Sequence, residues 1–340
     1  MPRIVECVPN FSEGRNIKTI NAIAGAISHV AGVKFISAEP DKDYNRTVVT
    51  YVGEPAAVVE AAFQGTKKAA ELIDMTLHHG EHPRLGATDV VPFVPVSGVT
   101  MLECVNLAHE LGRRVGDELN IPIYLYEEAA TRPERRNLST IRKGEYEGLA
   151  EKLKDPSWKP DYGPAEFNAR SGGTVTGARM FLIAYNVNLH TSDAKLANEI
   201  ALRIRESGRV KKDAQGNPVL DGNGQKVNVP GTLKAVKAMG VLLEAHHIAQ
   251  VSINLVNFHV TPPHVAFEEV KRQAATLGVE VTGSEIVGLT PKDALLLAGR
   301  FYAAGVTNEI ELVATAIDKL GLSQLDRFDE DKKIIEYQLS

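Results

Sequence analysis

Read for its hydrophobic period, the chain alternates short apolar runs with amphipathic stripes, and it does so twice. Residues 4–8 read as a short strand, followed by a turn-like Pro9-Asn10-Phe11-Ser12-Glu13-Gly14-Arg15. Asn16 is a good helix cap, and Ile17, Ile20, Ala24 and Ile27 behind it recur at helical spacing. Strands are predicted over 33–38 and 46–53. Pro55 then stands where a first helical residue belongs, with Val58, Val59, Ala62, Phe63, Ala70 and Ile73 forming the next stripe. A strand over 89–96 follows. Thr100 and Glu103 have the spacing of a capping box and open a helix to about Glu118, before a strand over 121–126. The order up to Val96 is β-α-β-β-α-β, in which right-handed crossovers put both helices on one face of a sheet.

Residues 128–162 are polar and irregular, with Arg132, Arg135, Arg136, Arg142 and Lys143, and read as a link that wraps instead of a core. The order then repeats. Phe181 to Leu189 predicts a strand, Ser192 opens a helix with Leu196, Ile200 and Ile204 inward, and strands follow near 235–244 and 248–258. A helix from Pro263 to about Leu277, a strand over 279–287 and helices from Pro291 and near 308–320 complete the second half. The stretch 208–232, rich in Gly, Asn, Asp and Pro, reads as an exposed hairpin or mobile loop. We therefore expect two α/β (α+β) domains, at 1–179 and 180–340, as a chain of 340 residues is too long for one small core.

Between the second helix and the strand at 89–96 lies Leu77-His78-His79-Gly80-Glu81-His82-Pro83-Arg84-Leu85-Gly86-Ala87-Thr88-Asp89, a loop crowded with titratable groups. The dull reading of His78 and His79 is two solvated residues at a helix C-terminus. Pro83 biases His82 toward an extended conformation and sets it apart. The spacing also fits the H-x-x-E-H pattern of a zinc-peptidase class, but that chemistry needs a continuous helix, which Gly80 and Pro83 oppose. On the residues alone His82 reads either as a structural histidine or as a general acid–base catalyst: an imidazole takes and returns a proton near neutral pH, and Asp89 could orient it and Arg84 bind a carboxylate.

A second candidate is Pro160 to Arg179. The glycines from Gly172 to Gly177 have phosphate-loop spacing, but Ala178-Arg179 replaces the Lys-Ser/Thr that such a loop requires. It reads either as an interdomain linker or as a ligand-lining loop at a domain seam.

Composition narrows the partners. A net charge of -5 argues against a dedicated nucleic-acid binder, and no apolar run approaches the ~20 residues that span a bilayer. The N-terminus lacks the pattern of a signal peptide, and Cys7 and Cys104 are too few for a disulfide framework or a Cys-rich metal site, so a cytoplasmic protein is expected.

Several stretches in order closely resemble the formiminotransferase (glutamate formimidoyltransferase) family: Glu6 to Arg15, Gly80 to Ala87, Ile141 to Leu149, Thr174 to Arg179 and Gly283 to Leu289. The resemblance implies two ferredoxin-like βαββαβ subdomains with a ligand site at their seam. It implies transfer of a formimidoyl group between N-formimidoyl-L-glutamate and N5 of tetrahydrofolate, the folate acting as co-substrate and no metal being needed. The family's catalytic histidine maps onto His82. Its folate-binding loop maps onto Gly163, Pro164, Ala165, Glu166, Phe167, Asn168, Ala169, Arg170, Ser171 and Gly172. Because both ligands are rich in carboxylates, Arg46, Arg84 and Arg179 are candidate anchors. The family also suggests a homodimer, with small-molecule substrates and neither nucleic acid nor membrane as partner. The cyclodeaminase domain that follows in bifunctional relatives is not expected here. An N-formylglutamate donor and a non-catalytic folate-binding protein remain the alternatives.

Overall fold

The computed structural model describes residues 3–339, which divide into a compact unit running to Met180 and a second from Phe181 to Gln338. In the first unit, β1 (Ile4–Cys7) and β2 (Asn10–Phe11) are one central strand interrupted at Val8-Pro9, where proline has no N–H to give the ladder. The helix α1 (Ile17–Ser28) follows, capped by Asn16, whose side chain accepts from the N–H groups of Lys18 and Thr19. Next come β3 (Val33–Asp41), β4 (Arg46–Gly53), α2 (Pro55–Leu72) and β5 (Thr88–Ser97). Strand β1 lies antiparallel between β4 and β5, and β3 flanks β4, so the spatial order is the one that a split βαβ pair dictates.

The sheet then continues beyond the expected four strands. The helix α3 (Met101–Leu119), with its complete Thr100–Glu103 capping box, leads to β6 (Ile123–Glu127). The late strand β7 (Thr174–Ala178) inserts between β5 and β6, parallel to both. One face of the sheet packs α1, α2 and α3 in a single core, with Ile23, Ile27, Val59, Phe63, Leu111 and Val115 buried. Each such side chain contributes about 1.5–3 kcal/mol when fully buried. The stripe of α1 is rotated from expectation: Ile23 is buried, while Ile17 in the first turn is exposed.

The segment 128–162 is a second core and not a wrap. It contains α4 (Leu138–Arg142) and α5 (Glu145–Lys152), and Ile141, Leu149 and Leu153 are buried with Tyr124, Tyr126 and Val175 of the sheet. Arg135, 1% exposed, pairs there with Asp161 at 2.8 Å and donates to the carbonyls of Ser157 and Lys159. Polar residues mask this core in the sequence because they cap short helices and hold one buried ion pair.

The second unit repeats the motif with β8 (Ile183–Leu189), α6 (Ala194–Ile204), β9 (Arg209–Val210), β10 (Asn228–Val229), β11 (Val236–Leu243), β12 (Ile248–Leu255), α7 (Pro263–Thr276) and β13 (Val281–Val287). The order β11-β12-β8-β13 is fully antiparallel, again that of the split βαβ pair. The helices α8 (Lys292–Tyr302), α9 (Glu309–Lys319) and α10 (Glu330–Lys333) follow. Between α6 and β11, the 209–229 excursion is an exposed hairpin closed by β9 and β10, with Asp213 and Asp221 each accepting backbone N–H groups in a tight turn. Among the described residues, no helix is long and apolar enough to cross a membrane.

Candidate functional site

The loop between α2 and β5 carries the candidate site. Residues 78–82 have no helical structure, so His78 and His82 do not share the helix face that the zinc-peptidase pattern demands. His78 is not solvated as its dull reading expected. It is buried, donates Nε2–H to the carbonyl of Asn45 at 3.0 Å and accepts at Nδ1 from Arg84 Nε at 3.3 Å. His79 is exposed, as that reading expected.

His82 is half-buried, and its Nε2 lies 3.1 Å from Nη1 of Arg46. A guanidinium only donates, so Nε2 accepts and the neutral ring carries its proton on Nδ1. Burial, together with the positive charges of Arg46, Arg142 and Arg84, pushes the imidazole down from its ordinary value to about 4. The ring is therefore neutral at pH 7, the form in which it takes a proton. Tyr44 stands edge-on to it with ring centroids 6.2 Å apart.

Asp89 does not orient this imidazole. Its carboxylate accepts from Leu85 N–H at 2.9 Å and from both Nε and Nη2 of Arg142, which closes the loop on itself and ties Arg142 to the start of β5. Nor is Arg84 free for a ligand. Its Nη1 and Nη2 bind Glu147 at 2.8 and 2.5 Å, with Glu145 a further acceptor at 3.0 Å. Those carboxylates stand more than sixty positions downstream, on the polar segment read as a wrap.

Arg46 is the anchor candidate placed beside the histidine. It also donates to Asn10 Oδ1 at 3.3 Å, and its Nε–H is buried without a partner among the described residues. Arg142, which the sequence offered only as one cation among several, joins it. A recess of about 550 Å³ lined by Pro83, Thr140, Arg142 and Lys143 opens beside the loop. Arg179 lies apart from the cations that act on His82. It donates to the carbonyl of Met180 at 3.1 Å and neighbours Tyr126 and Glu6. Glu6 is a residue the sequence reading missed as a candidate: 5% exposed, its carboxyl is pushed up to about 7 by burial, against the pull of Arg179. The signal was a lone charge in the apolar strand Ile4-Val5-Glu6-Cys7.

The loop from Gly163 to Gly172 is held at both ends and bare in the middle. Gly116 of α3 lets it approach: a Cβ there would sit 2.5 Å from the Gly163 nitrogen, and Gly163 itself has φ of +76°. Asn168 donates to the carbonyl of Asn120 and accepts from Ser171 N–H; Tyr146 OH donates to the Ala169 carbonyl and Arg170 to that of Glu71. At the far end, Ala87 N–H donates to Ser171 and Gly173 N–H to Leu85, at 2.9 and 3.1 Å, which joins the loop directly to the residues after His82. Ser171 and Gly172 are buried there, whereas Ala165, Glu166, Phe167, Ala169 and Arg170 are exposed. Phe167 presents its ring beside Tyr146.

Comparison with known proteins now decides the family. The formiminotransferase domain, N-terminal subdomain, matches residues 4–179, and the formiminotransferase domain matches 184–340. The chain belongs to the formiminotransferase family. It is 49% identical to a formimidoyltransferase-cyclodeaminase of Dictyostelium discoideum, across 100% of this chain and 61% of that protein. The chain thus spans about three fifths of the length of that relative. It is 43% identical to a glutamate formimidoyltransferase of Streptococcus pyogenes serotype M1, covering 100% of this chain and 99% of that one. A glutamate formimidoyltransferase of Thermoplasma acidophilum is 46% identical across 88% of this chain and 92% of its own.

Proposed function

We propose that this formiminotransferase-family chain is a glutamate formimidoyltransferase that moves a formimidoyl group between N-formimidoyl-L-glutamate and N5 of tetrahydrofolate. The observation that carries the reading is a neutral imidazole, His82, in contact with Arg46 and under the charge of Arg142, in a loop bonded to the 163–172 loop. In the transfer, a bond forms from N5 to the amidine carbon and the bond from that carbon to the glutamate nitrogen breaks. N5 must lose a proton and the departing nitrogen must gain one. His82 takes the first and returns it as the second.

The arginines give the step its order. Without ligand, Arg46 occupies the lone pair of Nε2 and its charge keeps the ring a weak base. A carboxylate of the donor, bound by Arg46 and Arg142, draws that guanidinium away and neutralises the local charge, which frees Nε2 and raises its basicity. Arg84, bound to Glu145 and Glu147, serves as a brace for the loop, and the bare middle of 163–172, with Phe167, is the surface offered to folate. Cys7 and Cys104, both unpaired and buried, suit a reducing, cytoplasmic setting, and a homodimer is the assembly the family suggests.

The test is turnover with tetrahydrofolate, comparing N-formimidoyl- with N-formyl-L-glutamate, for wild type and His82→Ala. Turnover of the formimidoyl donor, abolished in a folded His82→Ala variant, is expected. Retained turnover in that variant overturns the role of His82. Activity with the formyl donor alone changes the substrate, and folate binding without turnover of either donor leaves a binding protein.

A further inference from the structure

In the second unit, the last turn of α6 is tied to the chain on both sides of the 209–229 hairpin. The carbonyls of Arg203, Ile204 and Arg205 accept the N–H groups of Thr232, Leu233 and Gly208 at 3.0, 2.9 and 2.8 Å. Two glycines allow that approach. A Cβ on Gly208 would sit 1.8 Å from the Val229 carbonyl oxygen, and one on Gly231 would sit 2.0 Å from that of Arg205. The base of the hairpin is pressed onto α6, and a recess of about 520 Å³ lies between them.

The charges lining this recess do not balance. Arg205 from the helix and Arg209, Lys211 and Lys212 from the hairpin share it with a single carboxylate, Glu199. Glu199 Oε1 already accepts from Arg209 Nη1 at 2.7 Å and from Arg203 Nε at 2.9 Å. Glu206, next to Arg205 in the chain, is taken by Ala235 N–H at 2.8 Å and by Lys234 at 3.8 Å. Arg205, Lys211 and Lys212 form no ion pair among the described residues. Arg205 gives its Nε–H to the Gly208 carbonyl at 2.9 Å, and both its Nη groups are left without a partner there. A helix end attracts cations, but the last carbonyls of α6 are already satisfied by backbone N–H groups, and three of the four cations come from outside the helix. Strand alternation puts Arg209 and Lys211 on one face of the hairpin, with Val229 opposite Arg209, and the Arg209–Glu199 pair turns that face to α6. Leu202 of α6 and Val229 supply apolar wall.

We propose that this recess binds an organic anion with a doubly charged head, which sits on Arg205, Arg209 and Lys211 while its apolar body lies on Leu202 and Val229. A cleft lined by one sign of charge concentrates counter-ions, and a recess of this volume is of the size that takes a small molecule. The two free Nη groups of Arg205 form a fork that matches two oxygens of a phosphate or a carboxylate. Arg209 keeps Nε and Nη2 for the same head, and Lys211 adds a movable point charge. Phosphate esters and vicinal dicarboxylates share this chemistry. The site is built within the second unit alone, and it stands whether or not the chain is a transferase.

The test titrates the whole protein by calorimetry, at fixed ionic strength, with phenyl phosphate, phthalate and inorganic phosphate. Wild type should bind phenyl phosphate or phthalate saturably, one per chain, and more tightly than inorganic phosphate, which has no body for the apolar wall. Preference for phenyl phosphate assigns the site to phosphate esters, and preference for phthalate assigns it to dicarboxylates. In Arg205→Gln the affinity should fall by about tenfold or more, since a charge-assisted contact is lost. Lys211→Gln should lower it as well, and at an exposed hairpin position it leaves folding untouched. Lys319→Gln, on α9, removes the same charge elsewhere in the unit and should change nothing. No saturable binding of either organic anion by wild type overturns the proposal. So does an affinity that Arg205→Gln and Lys211→Gln leave unchanged, or that Lys319→Gln lowers as much, and so does inorganic phosphate bound as tightly as both organic anions.

Discussion

Nη1 of Arg46 stands 3.1 Å from Nε2 of His82, a guanidinium donating to the lone pair that a base needs. Burial, together with the charges of Arg46, Arg142 and Arg84, holds the imidazole neutral. This pairing makes the histidine's chemistry conditional on what else binds Arg46.

The first consequence is a pH profile. In the free protein His82 titrates at about 4 instead of 6.5, so the acid limb of kcat/KM should fall near pH 4. With donor bound, the arginine charges are neutralised, and the acid limb of kcat should lie higher. A kcat/KM limb at 6.5 contradicts the geometry.

Stability follows the same group with a determined sign. Between pH 6.5 and about 4, unfolded chains bind a proton at His82 and native ones do not. The contribution of His82 is therefore present above pH 6.5 and lost as pH falls toward 4. In denaturant titrations, His82→Gln should flatten part of the decline seen in wild type over that window.

Replacing Arg46 separates its two duties. In Arg46→Gln the imidazole titration followed by NMR should move upward, as a like charge has gone. KM for the donor should rise by about tenfold or more through the lost charge-assisted contact. A titration that stays put would show that the charge of Arg46 does not set the histidine.

Asp89 is a matter of folding more than of chemistry. It is 1% exposed and joined to Arg142, so Asp89→Ala leaves a largely buried guanidinium without its partner. We expect a loss of about 3–5 kcal/mol in equilibrium unfolding.

The 209–229 hairpin is expected to be dispensable for folding. Nearly all its side chains are exposed, and closing a shorter loop changes the entropy little. Replacing residues 212–226 with a short Gly-Ser turn should keep the melting temperature within a few degrees of wild type.

The elements were legible because each carries a local signal: Asn16 and the Thr100–Glu103 box cap their helices, and Pro55 opens another. That His82 stands in non-helical chain was legible through Pro83. What stayed hidden are relationships across sequence distance. Asp89 and Arg142 are 53 positions apart, and neither the pairing nor the resulting loss of Asp89 as an imidazole partner has a local mark. Arg84 looked free because Glu145 and Glu147 lie in a segment whose polar surface concealed Ile141, Leu149 and Leu153. The hydrogen-bonded cluster of Asn186, Gln250 and Glu285, on β8, β12 and β13, needs the register of three strands before it exists at all.

The placement of β7 bears on how the chain is made. Residues 174–178 fill the gap between β5 and β6, strands that leave the ribosome long before them. Until that last strand emerges, both neighbours present open backbone edges in the middle of the nascent sheet. The early helices α1 and α2 can settle on β1, β3, β4 and β5, but the rest of the first unit waits on its final residues. A chain stalled or cut before residue 174 would display two hungry strand edges to every other chain nearby, and aggregation is its expected fate.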